Sequence, residues 1–335
     1  MPNSASSSAP APWLGRILRA LLALTLVLAG AAMIYENIAE ARDRRFNPMP
    51  GKLVDIGGYR LHLNCTGEGS PTVILESGLG DTFISWGKVQ PQIAKFSRVC
   101  SYDRAGLGYS DPSPQPRTSQ AIAAELHRLL QAAGIAPPYI LVGHSMGGLT
   151  MRLFASLYRK EVAGMVLVDS SHPDQENRLP PELKNIEATE LREAEFLAYT
   201  MPFGLPRLLA LCDDDPVQRA AECNFHSARE SVAELKSFPE SAAQTAGTGP
   251  FGDIPLAVLS HDPDKPSADL PSDLTKPTNE AWEKMQEELP HLSTRGAQTI
   301  AKNSGHYIQF DRPEIVIDAV KSVVDQARAA QDSPR

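Results

Sequence analysis

The sequence predicts an α/β protein built on a mostly parallel sheet with helices on both faces. Three observations carry that prediction. Short apolar runs recur along the chain: "PTVILESG", "FSRVCSYD", "PYILVGHS", "GMVLVDSS" and "IPLAVLSH". Amphipathic segments such as "SQAIAAELHRLLQAAG" lie among them. The runs are continuously apolar rather than alternating, which is how strands read when a sheet is buried on both sides. Finally, one run ends in a serine flanked by glycines, "GHSMGG", and a helical pattern starts at once.

In chain order, residues 1–12 form a proline- and small-residue tail that reads as disordered. Residues 13–35 are an apolar segment without charge from Ala20 to Tyr35. That uncharged stretch would span about 24 Å as a helix, a little short of the ~30 Å hydrocarbon core, and Trp13, Arg16 and Arg19 would extend it at an interface. It reads as a membrane anchor, with a cleaved signal peptide at Ala29-Gly30-Ala31 as the alternative. Residues 36–50 read as a linker. "KLVDIGGYRLHLNCTG" is a hairpin turning at Gly57-Gly58. The apolar strands follow, with Gly134 stopping the helix after the fourth. "AQTIAKNSGH" is a weaker last strand, and "PEIVIDAVKSVVDQARAA" a closing helix. Two core pieces, 51–170 and 254–328, thus enclose an insertion at 171–253. That insertion is too long for a loop and carries helical patterns without a convincing strand, so it reads as a helical cap. Residues 329–335 are a tail.

The serine of G-x-S-x-G sits on a sharp strand-to-helix turn that exposes its hydroxyl. Gly143 and Gly147 spare that turn a collision. The N–H of Met146, at a helix N-terminus, would face developing negative charge. A serine hydroxyl needs a general base beside it to act as a nucleophile.

This order of motifs resembles the α/β-hydrolase fold family, in its capped serine hydrolase branch, from about Gly51 to Arg328. The resemblance rests on "ESGLGD", "YDRAGLGYSD", "GHSMGG" and "SGHYIQFDRP", which stand in the family's order. It implies an eight-stranded sheet with the cap inserted after the sixth strand. It makes Ser145 the nucleophile and His306 the base, and gives Leu79 and Met146 as oxyanion donors. The acid has two candidate positions. Asp264 stands where the family's commonest acid follows the seventh strand. Asp169 stands directly after the sixth strand, where some capped relatives place theirs, and is the preferred reading. Asp103 and Arg104 read as a structural pair that fixes the loop near the oxyanion turn. His144, although adjacent to Ser145, reads as structural.

The implied chemistry is hydrolysis of a carboxylic ester or related acyl bond of a small molecule, without cofactor or metal. An aminopeptidase, an acyltransferase or a non-catalytic binding protein on the same fold are the alternatives. The net charge is −8 with no basic stripe, which argues against nucleic acid as a partner. Four cysteines occur and none lies in a C-x-x-C, which argues against zinc. The family's sheet order would put Cys65 beside Cys100. A helix–turn–helix across "DDDP" would bring Cys212 to Cys223. Two bridges would place the catalytic domain outside the cytoplasm, anchored by one N-terminal helix, or secreted if the segment is cleaved.

Overall fold

The computed structural model describes residues 12–265 and 270–332, so the expected tails at 1–12 and 329–335 lie outside it at residues 1–11 and 333–335, whereas Pro12 opens a helix and residues 329–332 end one. Eight strands form one sheet in the order β1-β2-β4-β3-β5-β6-β7-β8. They are β1 (Lys52–Asp55), β2 (Arg60–Thr66), β3 (Thr72–Glu76), β4 (Val99–Tyr102), β5 (Tyr139–His144), β6 (Val162–Val168), β7 (Leu256–His261) and β8 (Gly296–Ala301). The hairpin β1–β2 is antiparallel and joins β4 antiparallel. Every other pairing is parallel. All five residues of β3 and all six of β5 are buried, as their unbroken apolar runs require.

Two apolar clusters sandwich the sheet. One gathers Leu126, Leu129, Leu153 and Phe154 against Leu141 and Leu167. The other gathers Val316, Val320 and Val323 against Val142, Val166 and Val168. Their helices are α2 (Ser119–Ala132), α3 (Met146–Leu157) and α7 (Pro313–Asp332). Thr118 caps α2 by accepting from the Ala121 N–H. The 171–253 insertion is helical throughout its regular structure, chiefly α4 (Leu183–Thr200) and α5 (Phe225–Thr245). Between β7 and β8 lies α6 (Ser272–Glu288), which the sequence pattern hides because Pro277 falls inside it.

Both disulfides form. Cys65 and Cys100 are direct partners in the β2–β4 register, with Cα atoms 4.0 Å apart. Cys212 and Cys223 lie 5.6 Å apart by Cα in the insertion.

The expected linker at 36–50 needs correction. The N-terminal helix α1 runs from Pro12 to Phe46 without a break, and only the residues after it form a connector. The stretch "ENIAEARDRRF" is rich in helix formers. Glu40 and Arg44 pair one turn apart at 3.2 Å. Arg207 of the insertion clamps Glu36 and Asp43, at 3.0 and 2.6 Å.

The loop after β3 is held by a buried cation. Arg104 bonds Glu76 at 2.7 Å and Glu234 of α5 at 2.6 and 2.8 Å, and donates to the carbonyls of Ser77 and Gly78 at 2.8 and 2.6 Å. Burial works against its charge, but the two carboxylates hold its pKa above the ordinary arginine value. Asp103 supports the same region by accepting from the Phe83 and Tyr109 N–H groups at 2.8 and 3.1 Å. Removing one partner of a buried ion network leaves the others uncompensated. Arg104→Ala is therefore expected to lower unfolding free energy by roughly 3–5 kcal/mol, read by urea denaturation. A variant as stable as the parent would contradict the role.

Candidate active site

Ser145 stands between β5 and α3 with φ 52° and ψ −125°. A non-glycine residue in that region is strained and persists only when its surroundings fix it. Here the surroundings are close-packed backbone. A Cβ on Gly143 would lie 2.6 Å from the Gly147 carbonyl oxygen, and one on Gly147 would lie 2.6 Å from that of Ser77. A Cβ on Gly148 would overlap the Ser170 hydroxyl at 1.9 Å. Packing thus demands the three glycines, and a single geometry for Ser145 follows.

Met146 opens α3, so its N–H has no partner within the helix. Leu79 lies on the loop pinned by Arg104. Among the described residues neither N–H is used by another hydrogen bond. The Gly80 N–H is satisfied instead by Glu234 at 2.9 Å, which ties α5 to the same loop.

Asp169 follows β6 in a left-handed conformation, φ 41°, and is fully buried. Its Oδ2 receives His306 Nδ1 at 2.6 Å and His261 Nδ1 at 2.8 Å. Its Oδ1 receives the His261 backbone N–H and Trp282 Nε1, both at 3.0 Å. Burial alone would raise this carboxyl's pKa. The hydrogen bonds and charges of the two histidines outweigh burial and hold it far below the ordinary range. His306 itself is partly exposed and borders the same cavity as Ser145.

The alternative acid is placed elsewhere. The Asp264 side chain is 87% exposed, its carboxylate 3.3 Å from Lys302, and it makes no hydrogen bond with His306. Asp262 likewise pairs with Lys302, at 2.9 Å, and accepts from the Asn303 N–H. The direction of the chain at the end of β7 explains this: His261, not either aspartate, points back at Asp169. His144 is buried, bonds the His306 carbonyl at 3.1 Å, and has its pKa lowered chiefly by burial. It supports the loop that carries His306.

Two residues of the cluster escape sequence reasoning. His261 ends an apolar strand beside two aspartates that draw attention as acids. Trp282 lies on α6, seventeen residues of polar helix with a proline inside. The usable signal was a histidine, rather than a carboxylate, as the last residue of β7.

Ser145, His306, Leu79 and Met146 open on a cavity of about 1100 Å³. Helices α4, α5 and α6 contribute Leu183, Ile186, Leu235, Phe238 and Trp282 to its wall. The described residues contain no group of three or more side chains able to hold a metal. The arrangement supplies a hydroxyl on a strained turn, an imidazole oriented by a buried carboxylate, and two free N–H donors in an apolar cavity.

The family model for the alpha/beta hydrolase fold matches residues 71–313. An uncharacterized protein of Bacillus subtilis, YqjL, is 27% identical, over 81% of this chain and 91% of its own length. A probable transporter of Hormonema carpetanum, efuK, is 28% identical over 83% of this chain, which spans only 43% of that protein. The structure of a putative lipase from Acinetobacter baumannii covers 88% of this chain and 97% of its own, with TM-score 0.62 and 18% identity. The chain belongs to the alpha/beta hydrolase fold family.

Proposed function

We propose that the protein is a serine hydrolase cleaving a carboxylic ester or related acyl bond of a small, largely apolar molecule through an acyl-enzyme intermediate. The observation that carries this reading is the 2.6 Å bond from His306 Nδ1 to buried Asp169, at the edge of the cavity that Ser145 enters. With Nδ1 committed to the carboxylate, Nε2 is left to take the Ser145 proton as Oγ attacks the carbonyl carbon. The oxygen that becomes negative is received by the Leu79 and Met146 N–H groups. His306 then returns the proton to the leaving alcohol. Water, deprotonated by His306, attacks the acyl carbon; the acyl–Oγ bond breaks, the acid leaves, and His306 returns its proton to Ser145 Oγ. No cofactor enters these steps. The cavity, at about 1100 Å³, is slightly larger than the usual ~300–1,000 Å³ for small-molecule sites, and its apolar wall favours a sizeable hydrocarbon portion.

The N-terminal helix and the disulfides add a setting. Trp13–Phe46 contains a window long and apolar enough to cross a membrane, and none of that window is buried against the protein. Two disulfides fit an oxidising compartment. The reading is a catalytic domain anchored by α1 on the extracytoplasmic side.

Three outcomes follow. Ser145→Ala should abolish turnover of a chromogenic ester and labelling by a fluorophosphonate while leaving the unfolding midpoint near the parent's; a fully active variant would refute the nucleophile. Asp169→Asn should cost on the order of 10⁴ in kcat, as loss of an imidazole-orienting carboxylate does. Asp264→Asn should cost little, and the reverse order would move the acid to the seventh strand. The third outcome concerns His261. Burial works to lower its pKa, but the hydrogen bond and charge of Asp169 raise it net. A raised folded pKa stabilises below the unfolded value of about 6.5, and that contribution fades as pH climbs through the folded pKa. His261→Gln should therefore lower Tm more at pH 5.5 than at pH 9. It should also reduce kcat roughly tenfold, the equivalent of one charge-assisted hydrogen bond. A Tm loss that grows with pH, or an unchanged kcat, would contradict this.

A further inference from the structure

The base of the N-terminal helix is fixed to the insertion rather than hinged on it. Among the described side chains of α1, Glu36 alone is buried, and Arg207 grips it through Nε and Nη2 at 3.0 and 3.1 Å. Arg207 Nη1 reaches Asp43 at 2.6 Å, two turns further along the same face. Arg219 approaches Asp43 at 3.5 Å. Gly204, in the left-handed region at φ 66°, packs so closely that a Cβ would lie 2.9 Å from Glu36 Oε2 and 3.4 Å from Tyr35. Tyr35 ends the uncharged apolar run. The insertion is therefore held at the point where α1 turns from apolar to charged.

Around that point the insertion exposes large apolar side chains. Phe196, Tyr199 and Phe203 recur at helical spacing with 56%, 76% and 41% exposure. Leu208, Leu209 and Leu211, immediately after Arg207, are 66%, 55% and 58% exposed. Six large apolar side chains exposed within sixteen residues of chain are more than a soluble surface usually carries without a partner. Tyr at such a site suits the wet side of a bilayer interface. The cations near it are paired, Arg207 and Arg219 with Glu36 and Asp43 and Lys236 with Glu195, and Asp213 to Asp215 are acidic, so attraction to anionic headgroups does not provide the contact.

We propose that this apolar patch of the insertion lies in the interfacial layer of the same bilayer that α1 enters, making a second, charge-independent membrane contact. The inference rests on α1 being a membrane segment, and the test separates the two. Full-length protein is reconstituted in phosphatidylcholine vesicles with a nitroxide at one position: Leu209→Cys, Tyr199→Cys, Leu24→Cys in α1, or Lys321→Cys on the exposed side of α7. Collision with oxygen and with a water-soluble nickel chelate is then measured. The expected result is an oxygen-to-nickel accessibility ratio several-fold higher at 209 and 199 than at 321, unchanged when phosphatidylserine is added. If 24 reads as lipid while 209 and 199 match 321, the anchor stands and the patch contact is overturned. If 209 and 199 are shielded from both reagents, a protein covers the patch and the proposal fails. If 24 also reads as aqueous, the anchor and the patch contact fall together.

Discussion

A carboxylate taken fully out of water is the constraint on which the rest of this site depends. Ionised Asp169 can sit in the dry interior only if hydrogen bonds replace its lost solvation. Four donors do so: two imidazoles, one indole and one backbone N–H. They arrive from the end of β7, from α6 and from the loop after β8. One buried charge therefore dictates how three separate segments meet at the C-terminal edge of the sheet, where ligands bind in open α/β folds. His306 is oriented because Asp169 needs it, as much as the reverse.

A second buried charge organises the opposite wall. Arg104 ties the loop carrying Leu79 to Glu76 beneath it and to Glu234 above it. Glu234 belongs to the insertion, so the roof of the cavity and a backbone donor that faces it share one ion network. The insertion is in turn gripped by α1 through Arg207. The insertion thus carries two separate ion clusters, one that holds the N-terminal helix and one that holds the loop beside Ser145.

Much of this was legible in the sequence, for reasons that are local. Gly143, Gly147 and Ser145 declare a strand-to-helix turn because close packing there admits no Cβ. The strands declare themselves because a sheet covered on both faces needs unbroken apolar runs. Cys65 and Cys100 followed from strand order. What escaped depends on geometry that no local pattern encodes. Which of Asp169 and Asp264 meets His306 turns on the direction in which β7 ends. His261 and Trp282 join the cluster from segments far apart in the chain, and α6 carries a proline where a helix would ordinarily break. The docking of the helix past Tyr35 rests on Arg207, 171 residues from Glu36.

The central claim is that Ser145, His306 and Asp169 act as one unit facing the Leu79 and Met146 N–H groups. A crystal structure of the protein after reaction with an alkyl phosphonate tests it most directly, because the tetrahedral phosphorus mimics the geometry of acyl transfer. The account predicts phosphorus bonded to Ser145 Oγ. One phosphoryl oxygen should accept from both N–H groups at roughly 2.7–3.1 Å, with His306 Nδ1 still on Asp169. An adduct whose phosphoryl oxygen points to solvent, or a His306 ring turned toward Asp264, would contradict it.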